Sequence, residues 1–210
     1  MKKIQIIILF ILCSKVFAAT ITINGSDGRK IIKSVDNKIE KLFLIQEIPD
    51  IQSIDGLDEL SNLKYIQISF SDLSNVSSST WKSMKRIETL KMDFCTLNNF
   101  EFLNYLPMLK VISFTEGISI ADSSRIDLQN NELLEYFEIH INKLDSFPKI
   151  DYCPKTLKYV IFNFYVSDKC NIDMSDDINI YVKEEYRYLC NNRNLINDTI
   201  YSSLMEKYQI

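Results

Sequence analysis

A chain of 210 residues holds one domain of ordinary size and is too short for a multidomain enzyme. Its 46% hydrophobic and 25% charged residues suit a packed protein and exclude disorder or a collagen-like chain. With 24 Lys and Arg against 28 Asp and Glu, the net charge of −4 argues against a binder of phosphate backbones, and the single His restricts acid–base and metal chemistry.

The N-terminus comes first. Lys2 and Lys3 precede a nearly unbroken apolar run, Ile4 to Leu12, and Val16 and Ala18 stand at the −3 and −1 positions of a cleavage site. This layout predicts a secretory signal peptide over residues 1–18. The alternative is an uncleaved anchor, but a spanning helix needs about 20 apolar residues and this run is shorter. Leu12 before Cys13 argues against lipidation at that cysteine. Cleavage would leave 192 residues and, with Lys2, Lys3 and Lys15 gone, a net charge of −7. The expected destination is exported: secreted, cell-surface or periplasmic. No later apolar stretch approaches spanning length, so no transmembrane segment is expected in the mature chain.

Residues 19–38 alternate from Thr20 to Asn24 and then turn at Gly25-Ser26-Asp27-Gly28, which predicts an N-terminal cap of strand or hairpin form. Residues 39–183 carry an internal repeat. The frame L-x-x-L-x-L, with any apolar residue at the L positions, begins at Ile39, Leu63, Ile87, Leu109, Leu134 and Leu157, at intervals of 22 to 25 residues. Alternation at positions 4 and 6 marks a short strand with one buried face, and copies of such a strand stack into a parallel sheet. Between strands the chain must return. The returns show apolar residues at spacings near three, as in Leu97, Phe100, Leu103, Leu106 and Leu109, which predicts helix or 3-10 turns. Ile178 to Val182 follows as a degenerate last strand. Residues 184–210 read as a C-terminal cap whose helix, from Asp198, places Ile200, Leu204 and Tyr208 on one side.

The full pattern L-x-x-L-x-L-x-x-N/C-x-L is met by Ile87, Leu90, Met92, Cys95 and Leu97, and by Leu134, Phe137, Ile139, Asn142 and Leu144. In this the chain resembles the leucine-rich repeat family, and the stretch from Ile54 to Ile68 resembles the repeats of bacterial internalins. The resemblance implies an α/β fold: a curved leucine-rich-repeat solenoid with a parallel concave sheet, short helical or 3-10 returns on the convex side, and caps at both ends. It also implies protein recognition. Departures from the pattern fall at Glu47 and Pro49, Gly117 and Ser119, and Tyr165 and Ser167.

Candidate functional residues follow from the frame. Position 3 holds Tyr65, Tyr136 and Tyr159, expected on the concave face, where tyrosine offers contact area and a hydroxyl at small entropic cost. Glu138 and His140 share that face; such a pair can serve catalysis or a metal, but without a second His or suitably spaced Cys a solvated surface pair is the commoner meaning. Position 8 holds Phe70, Phe94 and Phe164, which could either line a partner site or stack along the ladder. These eight residues are the candidate partner contacts. Cys95 and Cys153 fit core positions, leaving Cys170 and Cys190 as the possible disulfide. No C-x-x-C, phosphate-binding loop, nucleophile elbow or H-E-x-x-H occurs, so no catalytic, cofactor or metal residue is expected. Asn24, Asn75 and Asn197 open glycosylation sequons, which matter in a eukaryotic host. The expected function is protein binding through the concave and ascending face, by a monomer without nucleic-acid partners. The alternative is a structural or adhesive component that self-associates.

Overall fold

The computed structural model describes residues 18–121, 125–144, 149–166, 179–182, 194–195 and 198–210. Residues 1–17, all but the last of the expected signal peptide 1–18, and Cys170 and Cys190 lie outside them.

The chain opens with an antiparallel hairpin of β1 (Ala18–Gly25) and β2 (Lys30–Asp36). After β3 (Lys41–Ile45), strand β4 (Ile51–Asp55) pairs antiparallel with β1, giving a three-stranded sheet in the order β2-β1-β4. Ile21 and Ile23 of β1 are buried, so this sheet closes one end of the core. The closure needs a glycine: Gly56 has φ 85°, and a Cβ there would stand 2.2 Å from the Thr20 carbonyl oxygen.

The main sheet is parallel and follows chain order. From β3 it continues through β5 (Tyr65–Ser69), β6 (Thr89–Asp93), β8 (Val111–Ile120), β10 (Tyr136–Leu144), β12 (Tyr159–Val166), β13 (Asn179–Val182) and β14 (Asn194–Leu195). The short β7 (Thr96–Leu97) pairs with the second half of β8. Leu42, Ile66, Leu90, Ile112, Phe137 and Val160 stand in one row across the strands, all buried. The row before the strands alternates in sign: Glu40, Lys64, Glu88, Lys110, Glu135, Lys158. Glu88 lies 3.5 Å from Lys64 and 2.7 Å from Lys110, and Glu135 lies 2.9 Å from Lys158. Exposed pairs of this kind contribute at most about 1 kcal/mol each. They do oppose a slip of one strand copy, which would bring like charges together.

The returns are mixed. They contain the 3-10 turns η1 (Leu57–Glu59) and η2 (Glu101–Tyr105), the six-residue helix α1 (Ser78–Ser83), and extended pieces such as β4, β7 and the parallel pair β9 (Arg125–Asp127) with β11 (Lys149–Tyr152). Trp81 of α1 and Phe102 of η2 pack with ring centroids 4.5 Å apart and cover the sheet's inner face. The chain ends in helix α2 (Asp198–Tyr208).

The expected curved leucine-rich-repeat solenoid is not the architecture found. The fold is α/β with a parallel sheet, but the described residues contain only two α-helices, and an antiparallel sheet stands at the start. Apolar spacing near three records which residues turn inward, whether the backbone between them is 3-10, helical or extended. It therefore overstated the helical layer.

The outer face of the sheet as candidate functional site

Frame positions 3 and 5, on the strands, point away from the main core and form the sheet's outer face, whereas position 1, before each strand, packs inward with positions 4 and 6. Helix α2 lies on this face over β8, β10 and β12. Its Leu204 is buried against Val111, Tyr136 and Ile161, with Ile200, Tyr201, Met205 and Tyr208 packed around them. The helix expected as an end cap is thus a cover on the face, because its apolar row meets the apolar outer residues of those strands.

Glu138 lies beneath the helix, fully buried. Its carboxylate accepts hydrogen bonds from Ser113 Oγ (2.9 Å), the Tyr136 hydroxyl (3.1 Å) and the Tyr201 hydroxyl (2.8 Å), and His140 Nε2 lies 2.9 Å away. Burial by itself raises the carboxyl's pKa, but the hydrogen bonds from His140, Tyr201 and Ser113 and the charge of His140 outweigh it and hold Glu138 below its ordinary value of 4.5. Burial, then the adjacent Glu138 charge, pushes both the Tyr136 and Tyr201 phenols up.

A pH dependence follows. A carboxyl whose folded pKa is lowered stabilises the fold fully above its unfolded value and loses that contribution as pH falls through the folded one. Wild type should therefore lose stability as pH drops below 4.5, and Glu138→Gln should lose less over the same range. Urea midpoints at neutral and acid pH check this; parallel acid limbs in the two proteins would contradict it.

The structure separates the candidate residues. Tyr136 and Glu138 were expected on an open face; both are 0% exposed, because α2 covers them. Tyr65 is also buried, its hydroxyl donating to Gln67 (3.2 Å) and its ring packed by Phe43 and Lys41. Tyr159 is half-buried, with Tyr208 edge-on at 6.0 Å and Lys207 over its ring. His140 is half-buried beside Glu138. The expected tyrosine row therefore serves internal packing.

Phe70 and Phe94 differ: each is 48% exposed, and their rings stack at 4.8 Å. Simple alternation would turn them into the core with Ile68 and Met92. Instead Gln46, Phe70, Phe94 and Glu116, at the same point of four successive strands, all have φ between 50° and 58°. The left-handed turn breaks the alternation, so Ser71 and Cys95 go inside and the phenylalanines face solvent. Such backbone costs about 1–3 kcal/mol per residue. It is held by ladder bonds, Phe70 N–H to the Asp93 carbonyl and Phe94 N–H to the Glu116 carbonyl, both 3.0 Å. The Phe164 side chain lies outside the described residues.

Beside this stack a groove of about 310 Å³ opens between the uncovered face and α2. Ile45, Phe70 and Phe94 form one side and Tyr201 and Met205 the other; the floor carries Gln67, Lys91, Asp93 and Thr115. Asp93 accepts from Gln67 Nε2 (2.7 Å), Ser69 Oγ (3.2 Å) and the Thr115 hydroxyl. Ile45 of the groove and Phe43, two residues before it on the same side of β3, are about half exposed, because β3 is the edge strand among the described residues and no described helix covers it.

The remaining chemistry is sparse. Cys95 and Cys153 are free thiols, and burial pushes Cys95 up to about 11, which leaves it a poor nucleophile. Among the described residues no group of three His, Cys, Asp or Glu is placed to hold a metal, and no helix is long and apolar enough to cross a membrane. In comparison with known proteins, no family model and no curated protein matches the chain.

Proposed function

We propose that the chain is an exported protein-binding module whose contact surface is the uncovered outer face at β3, β5 and β6. The observation that carries this reading is the exposed set Ile45, Phe70 and Phe94 on one groove, with Phe43 exposed on the same side of β3 as Ile45. A contiguous apolar patch on a soluble surface marks an interface. The groove suits a protein segment that sets apolar side chains on the Phe70–Phe94 stack and offers a cation or hydroxyl to Asp93, beside which Glu116 adds a second acid. The chain's own Tyr201 meets Glu138 in the same manner a few strands away.

The double variant Phe70→Asp, Phe94→Asp should abolish partner capture from extracellular material while shifting thermal melting little, since both side chains are half in water already. Capture by the double variant equal to wild type would place the site elsewhere. Self-association is the second reading, and the edge of β3 beside Phe43 and Ile45, which pairs with no further strand among the described residues, favours it. Sedimentation velocity across concentrations separates the two: a monomer throughout removes self-association.

A further inference from the structure

We propose that the part of the outer face under α2 is a docking site for amphipathic helices, filled at rest by the chain's own C-terminal helix and open to a helix of the same pattern from another protein. This surface lies beyond the groove reading and does not depend on it.

The separation of the two cores is the first support. Leu204 packs with Val111, Tyr136 and Ile161 in a cluster of their own, while the inner strand residues and the returns form a different cluster on the other side of the sheet. Lifting α2 therefore opens the outer patch and leaves the main core closed. The helix is anchored at few points: Leu204 in the outer cluster, the Tyr201 hydroxyl on Glu138 and the Tyr208 ring on Tyr136. Leu204 is its one buried residue among the described side chains, with Ile200, Tyr201, Met205 and Tyr208 half exposed. An 11-residue helix does not persist alone in water, so undocking unfolds it and an incoming helix folds as it lands.

The polar floor tolerates exchange. When α2 leaves, Glu138 loses the Tyr201 hydroxyl but keeps Ser113, Tyr136 and the adjacent His140, and water takes the vacated position. Tyr201 and Met205 also line the open groove, so one flank of α2 is exposed to an incoming side chain. The matching occupant carries a hydroxyl-bearing aromatic, a leucine three residues on and an aromatic four beyond that, the spacing of Tyr201, Leu204 and Tyr208. The hydroxyl meets Glu138 and the leucine fills the space between Val111, Tyr136 and Ile161.

The probe is a fluorescein-labelled synthetic peptide of residues 198–210, added to the full chain and read by anisotropy. In wild type the resident helix competes, so binding should be weak. Leu204→Asp disfavours the resident helix and should raise peptide affinity on the order of tenfold or more, with Leu204→Ala between the two. Hydrogen exchange on wild type needs no variant: amides of α2 should exchange well before those of β5 and β6. Folded variants that bind the peptide no better than wild type would overturn the proposal. So would α2 amides protected as strongly as those of β6.

Discussion

Leu90→Asp is expected to abolish the folded state. Leu90 is fully buried in the middle strand of the row Leu42, Ile66, Leu90, Ile112 and Phe137. Its replacement removes about 2–3 kcal/mol of apolar burial. It also places a carboxylate among apolar side chains, which costs several kcal/mol more. Domains of this size have a net stability of about 5–15 kcal/mol, so the sum is comparable to the whole. Circular dichroism should show no cooperative melting transition. The neighbour supplies the control: Lys91 faces the outer groove, and Lys91→Ala should shift stability by no more than about 0.5 kcal/mol. A one-residue step reverses the effect because successive strand side chains face opposite sides. A normal melt for Leu90→Asp would contradict the assignment of the inner face.

The second large effect is at Tyr136. Tyr136→Ala should cost about 3–5 kcal/mol, as removal of a fully buried aromatic does. Tyr136→Phe keeps the packing against Tyr208 but withdraws one donor from the buried Glu138, for about 1–3 kcal/mol. Urea denaturation of the two variants checks both sizes. A tyrosine kept for contact with a partner would behave differently, with capture lost and stability unchanged. Equal, near-wild-type stability of both variants would mean that α2 does not cover this residue.

The strands of the main sheet were legible in the sequence, since inner positions such as Ile66, Leu90 and Ile112 recur at spacings that a repeated strand explains. The returns were less so. Apolar residues at intervals near three mark an inward side without specifying the backbone between them, and β4, β7 and β9 are extended where turns of helix were expected. The candidate site was half legible. Alternation correctly assigns Tyr136 and Glu138 to the outer face, but alternation is local and carries no information that Tyr201 and its helix, far along the chain, will cover them. The amphipathic spacing of Ile200, Leu204 and Tyr208 was visible, and what it would pack against was not. Phe70 and Phe94 show the opposite gap. Their exposure depends on a left-handed turn at a non-glycine residue, which the neighbouring strand enforces through backbone hydrogen bonds and which no residue type announces. The alternating charges from Glu40 to Lys158 were a signal of strand register present in the sequence from the start.

Binding through the open half of the outer face is tested most directly by site-specific photocrosslinking. Benzoylphenylalanine is placed at position 94, beside the groove, or at position 32, where Ile32 is exposed on β2. One extracellular protein should be joined to the chain from position 94 and not from position 32, and Phe70→Asp should remove the adduct. Equal adducts from both positions, or an adduct from position 32 alone, would contradict this assignment.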